Sequence, residues 1–276
     1  MKSFYLILHV LGEHRLNIYR MNSKFHFLVV VLLLISVMGK GQVNIEKLRA
    51  RTNDTVSFGG ELSVSLQYDK GNNDYQRINS IGLFQVDLDS SYVLLFYNLE
   101  YGLDDREPFS DLGLLHYRHI FPFTKTKQFE YFLQANYDAD LLIKLRTVFG
   151  LSYRYTLLPK DQFKTSVGLG TMLEYEKIDV STDDNHKARL LNFRINSYVT
   201  SQILINEKAS ILLTAYYQPA INDFDDYRIL AEATVSSEIT NHWSFTFSIL
   251  TRSDSKQPAT LKPTDIRTRA GIKYLF

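Results

Sequence analysis

The chain has 276 residues, a formal net charge of +1, no cysteine, and 13% aromatics carried by 18 Tyr and 18 Phe against one Trp. The even charge gives no electrostatic footprint for nucleic acid, and the missing cysteines exclude disulfides, thiolate metal sites and cysteine nucleophiles. So much Tyr and Phe is the palette of a strand-rich protein.

Residues 1–20 read as an upstream extension in front of Met21. From Met21 a short basic start precedes the apolar run Phe27–Met38, and Gly39-Lys40-Gly41 puts small residues just before Gln42. This is the pattern of a secretory signal peptide over 21–41, too short to cross a bilayer as a helix, which takes about 20 apolar residues. No cysteine follows the run, so it is not a lipoprotein anchor. Residues 42–55 are polar and form either a periplasmic lead or a segment tucked into the mouth of a barrel.

From residue 56 to 276 apolar and polar residues alternate, the period of strands with one greasy and one polar face. The first such run sets Phe58, Leu62, Val64 and Leu66 against Glu61, Ser63 and Ser65, and turns at DKGNND over Asp69–Asp74. The second carries Ile78, Phe84 and Val86 to the LDSS turn at Leu88–Ser91. The third, Tyr92–Tyr101, is apolar on both faces and leaves its register open. A charged loop over Gly102–Ser110 leads to a fourth strand with His116, Arg118 and His119. The fifth opposes Glu130 and Gln134 to Tyr131 and Leu133. After YDADLL, the sixth opposes Arg146, Ser152 and Arg154 to Leu151 and Tyr153. The seventh places Gly168, Gly170 and Glu174 on its polar face, the glycines relieving crowding. Beyond KIDVSTDDNHK, the eighth carries Arg194 and the ninth Thr214 and Gln218. A polar loop over Pro219–Asp226 precedes Arg228 and Glu232 on the tenth. Trp243, Phe245 and Phe247 mark the eleventh, and TDIRTRAGIKYLF closes the chain with Arg267 and Arg269 opposite Ile266, Ile272, Tyr274 and Phe276.

This makes about twelve strands and no helical stripe. The connections alternate between tight turns and longer, more acidic loops, as in a membrane barrel and not in a soluble sandwich. About ten residues per strand at ~3.3 Å and a tilt near 40° cover roughly 25 Å, the height of a barrel's apolar band. The fold class expected is therefore all-β, a transmembrane up-and-down antiparallel barrel of about twelve strands. Its polar faces then line a lumen, with Glu61, Glu130, Arg146, Arg154, Glu174, Arg194, Arg228, Glu232, Arg267 and Arg269 as candidate lumen residues. The mixed signs allow pairing across strands. A hairpin centred near Asp140 puts Gln134 opposite Arg146, and closure onto the first strand makes Glu61 the acidic partner expected for Arg267 and Arg269.

The strings Glu130-Tyr131-Phe132-Leu133-Gln134, Leu145-Arg146, Gly150–Tyr155, Tyr217-Gln218-Pro219, Asp226–Ile229 and Asp265–Phe276 resemble the salt-induced outer membrane protein family, a domain of unknown function (481). The resemblance implies an outer-membrane barrel of unestablished activity. The last strand is similar to the closing strand of outer-membrane barrels, which implies that Ile272, Tyr274 and Phe276 form the assembly signal. The partners so implied are outer-membrane lipids and the barrel assembly machinery, with export to the bacterial outer membrane.

Three functions stay open: a narrow polar pore for small solutes or ions, a non-conducting envelope structural or stress-response protein with a salt-bridged lumen, and a lipid-modifying enzyme. The enzyme reading is the weakest. A serine hydrolase needs a histidine beside its nucleophile. Of the histidines beyond residue 42, His186 falls in a loop, His242 in a turn, and His116 and His119 on opposite faces of one strand. That odd spacing also argues against a metal pair. The acidic loops offer oxygen ligands for Ca²⁺ without EF-hand spacing and read as solvated. No cofactor is expected.

Overall fold

A computed structural model describes residues 58–69, 75–104, 107–159, 162–180 and 186–276. The upstream extension, signal peptide and polar lead expected over 1–55 lie outside the described residues.

Twelve strands succeed one another: β1 (Phe58–Asp69), β2 (Tyr75–Asp87), β3 (Tyr92–Asp104), β4 (Glu107–Pro122), β5 (Lys127–Asp138), β6 (Ile143–Pro159), β7 (Phe163–Ile178), β8 (Arg189–Asn206), β9 (Ala209–Ala220), β10 (Asp223–Glu238), β11 (Trp243–Asp254) and β12 (Thr264–Leu275). Each pairs antiparallel with its neighbours in sequence, and β12 returns to β1 to close a barrel. The terminal end of the barrel carries the start of β1 and Phe276; the far end carries the connections after β5, β7, β9 and β11.

The alternation of the sequence becomes an inversion of the usual protein interior. Leu169 is 64% exposed and Ile266 69%, whereas Arg118 and Glu130 are 0% exposed and Glu174 1%. Apolar side chains outside and charged ones inside fit a barrel wrapped by lipid, where closure of the sheet pairs backbone groups that hydrocarbon could not solvate. Rings collect outside near the terminal end, including Tyr117, His119, Phe121 and Tyr131 on one side and Phe58, Phe84, Tyr274 and Phe276 on the other. Such aromatic girdles sit at membrane interfaces.

Two of the expected loops are strand instead. β3 continues to Asp104 and β4 begins at Glu107, while β9 runs to Ala220 and β10 starts at Asp223, with a register shift between Asp223 and Tyr227. Backbone pairing thus runs on through stretches whose sequence carries no period-two signal.

The closure is uneven. β1 pairs with β2 along its whole length, Phe58 to Asp69, but with β12 only from Glu61 to Val64, opposite Leu275 to Ile272. One further rung ties the end: Gly60 N–H donates to Phe276 O and Phe276 N–H to Gly60 O, each at 3.2 Å. Gly60 makes room for the terminal ring, since a Cβ there would lie 2.6 Å from Phe276 Cζ. The ring itself packs 6.2 Å from Phe58 and 6.3 Å from Phe84.

Candidate functional site

Inside the barrel, side chains from distant strands meet. The centre of the far half is Glu174 on β7, which accepts hydrogen bonds from Arg146 on β6, Arg228 on β10, and Arg194 Nε on β8 at 3.0 Å. Glu176, two residues on and so on the same face, takes Arg228 Nη2 at 2.6 Å and lies 3.5 Å from Arg146 Nε. Arg228 Nε reaches Asp254 on β11 at 2.6 Å, and Arg194 Nη2 reaches Asp226 at 2.8 Å. The contacts of Arg228 with Glu174 and Glu176 cross the lumen, because β8 and β9 stand between β7 and β10 on the wall. Charge buried this deeply is tolerated only with several partners per ion, and each guanidinium here has at least two.

Below this hub lies a neutral layer in which Gln218 Nε2 donates to Asn196 Oδ1 at 2.7 Å and Asn196 Nδ2 to Ser152 Oγ at 3.0 Å. Nearer the terminal end, Glu130 on β5 accepts from Arg118 Nη1 on β4 at 3.1 Å and from Tyr198 Oη on β8 at 2.6 Å. The Tyr198 ring lies against Gly168, where a Cβ would come within 2.0 Å of Cε1. Glycine is thus what lets the phenol lie along the wall and reach Glu130. Arg154 stands beside the same tyrosine, its Cζ 5.8 Å from the ring centroid, and Arg118 stacks 5.0 Å from the Phe132 ring.

The rest of the lumen wall is organised by β12. Arg267 lies 3.4 Å from Asp140 and 3.7 Å from Asp138, Arg269 3.3 Å from Glu100, and Lys273 2.9 Å from Glu61. Glu61 therefore pairs with Lys273 and not with Arg267 or Arg269; the tilt of the strands carries those arginines toward β3 and β5. The expected opposition of Gln134 to Arg146 is also replaced. Asn136 faces Arg146 and Gln134 faces Val148. The cause is a 3₁₀ turn over Ala139–Leu141, with Leu142 left-handed at φ 56°, and a register shift between Asn136 and Asp138. The ten candidate lumen residues all face inward, and Glu232 lines a cavity toward the terminal end. Arg118, Glu176, Arg252, Asp138, Asp226 and Asp254 also make ion pairs in the lumen and stand outside that set, although alternation already puts Glu176 and Arg252 on the polar faces of the seventh and eleventh strands. Parity with His116 and Glu174 marks Arg118 and Glu176, but the aspartates sit in turn-rich strings where alternation gives no cue.

Apolar residues roof the far end: Leu141, Ile143 and Ile178 are buried, as is Pro258 from the connection after β11. The cavity toward the terminal end has a volume of about 160 Å³ and is lined by β1–β3 and β8–β12. Outside, at the terminal-end girdle, His119 Nε2 is 2.9 Å from Ser91 Oγ and Nδ1 is 3.1 Å from Tyr131 Oη. Among the described residues no group of His, Asp and Glu could hold a metal ion.

The chain resembles solved barrels at low identity. The translocator domain of autotransporter NalP from Neisseria meningitidis is 12% identical with a TM-score of 0.44, over 84% of this chain and 94% of that one. The NanC porin is 5% identical at 0.48, over 78% and 98%, and the KdgM porin 10% identical at 0.41, over 79% and 99%. None of the curated proteins matches the sequence. The family model described as "Protein of unknown function, DUF481" matches residues 62–276, the whole barrel after its first four residues, and this chain belongs to that family.

Proposed function

We propose that this protein is an integral outer-membrane barrel whose lumen is held shut by cross-lumen ion pairs, an envelope structural or stress-response component that does not conduct. The observation that carries the reading is the Glu174 hub, where guanidiniums from β6, β8 and β10 converge on one carboxylate that is 1% exposed. A conducting pore keeps its charged wall solvated; here charge neutralises charge across the opening. The lipid-facing girdle and the apolar run Phe27–Met38 support the outer membrane as the location. The experiment is planar-bilayer recording of the purified protein at high salt. No resolved current steps are expected from the native chain. Regular ohmic steps would overturn the reading and restore the narrow polar pore for small solutes or ions.

The contact of His119 with Ser91 and Tyr131 favours a second reading, a lipid hydrolase working at the interface, because nucleophile, base and orienting hydroxyl lie within hydrogen-bond reach. Phospholipid turnover that disappears in Ser91→Ala would establish it; a protein inert toward phospholipid and lipid A leaves His119 as a girdle residue.

A further inference from the structure

We propose that the far rim of β7 and β8 binds the phosphate of an acylated, phosphorylated glycolipid of the surrounding leaflet through Lys177 and Arg189. The proposal rests on the outer-membrane reading and not on whether the lumen conducts.

Alternation along β7 and β8 fixes where these two side chains stand. Glu174 and Glu176 are buried in the lumen, so Lys177 shares the outward parity of Leu173 and Tyr175; Arg194 is buried there too, so Arg189 shares the outward parity of Leu191 and Phe193. The register sets them in rows on the lipid face: Lys177 opposite Arg189, Tyr175 opposite Leu191, and Leu173 opposite Phe193. Leu191 is 67% exposed, which leaves the apolar rows open to acyl chains. From Val167 to Lys177, at ~3.3 Å per residue and a tilt near 40°, β7 climbs roughly 25 Å, so the cationic row stands where the apolar band ends. A tyrosine one row below it is at the level of lipid headgroups.

Both cations are exposed, and among the described residues neither side chain makes a hydrogen bond or an ion pair. Side chains directly opposite on a sheet have their Cβ atoms about 5 Å apart, and like charges so placed destabilise it. The neighbouring charges do not relieve them. Asp179 is taken up by Lys144 at 2.8 Å, Glu174 and Glu176 face the lumen, and Lys187 adds a further exposed cation. Asp183 and Asp184, in the connection between β7 and β8, lie outside the described residues. At the edge of an apolar band the counter-charge at hand is that of the headgroups. A phosphodiester offers one charge to the two cations, whereas a phosphomonoester carries about two, with three acceptor oxygens. Those oxygens satisfy the planar fork of Arg189 and the ammonium of Lys177 together, while the acyl chains run down the rows below.

Bisphosphorylated lipid A is the probe, titrated into the full-length protein in neutral detergent and read by native mass spectrometry as lipid retained on the barrel. Saturable retention is expected, and dephosphorylated lipid A should bind about twenty-five-fold more weakly, the worth of two basic residues beside an anionic surface. Lys177→Gln and Arg189→Gln should each weaken lipid A by about fivefold, and the double variant by about twenty-five-fold. Lys208→Gln, an exposed lysine at the terminal end, should change nothing. Equimolar inorganic phosphate should not displace the lipid, because the acyl chains hold it as well. Heat-modifiable gel migration certifies each variant as folded. No saturable retention by the native protein would overturn the proposal. So would equal binding of dephosphorylated lipid A, an unchanged affinity in the double variant, an equal loss in Lys208→Gln, or displacement by phosphate. Membrane fractionation reads the location, and bilayer recording the closed lumen, independently of this assay.

Discussion

Glu174→Gln removes one negative charge from the point where Arg146, Arg194 and Arg228 meet. Breaking a buried ion pair by removing one partner costs about 3–5 kcal/mol, because the stranded charge keeps its desolvation penalty. The arginines are not wholly stranded: Arg146 keeps Glu176, Arg228 keeps Glu176 and Asp254, and Arg194 keeps Asp226. Glutamine also retains a carbonyl acceptor. The expected loss is therefore at the lower end, about 3 kcal/mol. Lys144 and Asp179 give the internal comparison: they stand 2.8 Å apart, but their side chains are 52% and 59% exposed. An exposed pair is worth under about 1 kcal/mol, so Asp179→Asn should change little. Urea unfolding and refolding in lipid vesicles, followed by the fluorescence of Trp243, measures both. Equal losses in the two variants would refute the claim that burial, and not distance, makes the hub hold the barrel.

Gly168→Ala puts a methyl group 2.0 Å from Tyr198 Cε1, so the ring must move and its bond to Glu130 breaks; overpacking of this kind costs about 1–3 kcal/mol in the same urea assay, and a native midpoint would contradict it. Deletion of Phe276 removes both rungs to Gly60 and the ring contacts with Phe58 and Phe84, so assembly into the membrane should fall, as scored by the heat-modifiable band; normal insertion would dismiss the terminal clasp. Asp140, in the turn between β5 and β6, is pushed above the ordinary carboxyl value by burial, against the pull of Arg267. A raised folded value means the folded state holds the proton more tightly, so this contribution is complete at pH below the unfolded value, near 3.9, and is lost as pH rises through the folded one. Asp140→Asn should thus raise the unfolding midpoint at pH 7 and leave it unchanged near pH 3, and a lower midpoint at pH 7 would reverse the sign of this argument.

Strand number and facing were legible because a residue's parity alone decides whether it meets lipid or lumen. Arg146, Glu174 and Arg228 could be placed inside that way. Their pairing could not, since it depends on how far strand tilt offsets one wall from the opposite one. Arg269 meets Glu100 rather than Glu61 for that reason. The hairpin after β5 hid its register in the conformation of Leu142, which a left-handed φ of 56° sets and no apolar pattern announces. β3 was ambiguous for a different cause. Its inward Leu94 and Phe96 join Leu83, Leu114 and Ile120 in an apolar cluster inside the barrel, so both faces of the strand are greasy. The same cluster is what makes the cavity amphipathic, and a rule that expects only polar residues in a lumen passes over it.

A closed sheet yields first at its shortest ladder. Between β1 and β12 that ladder joins Glu61–Val64 to Ile272–Leu275, and the Phe276 rung fixes it at one end only. Parting there sacrifices far fewer hydrogen bonds than parting β1 from β2, and it would expose the side of the cavity formed by Ser63 and Gly271 directly to lipid. Circumference is therefore the cheapest dimension for this molecule to change. The terminal phenylalanine is tied at the end where the strands still meet, so the unpaired length of the seam lies wholly toward the opposite end.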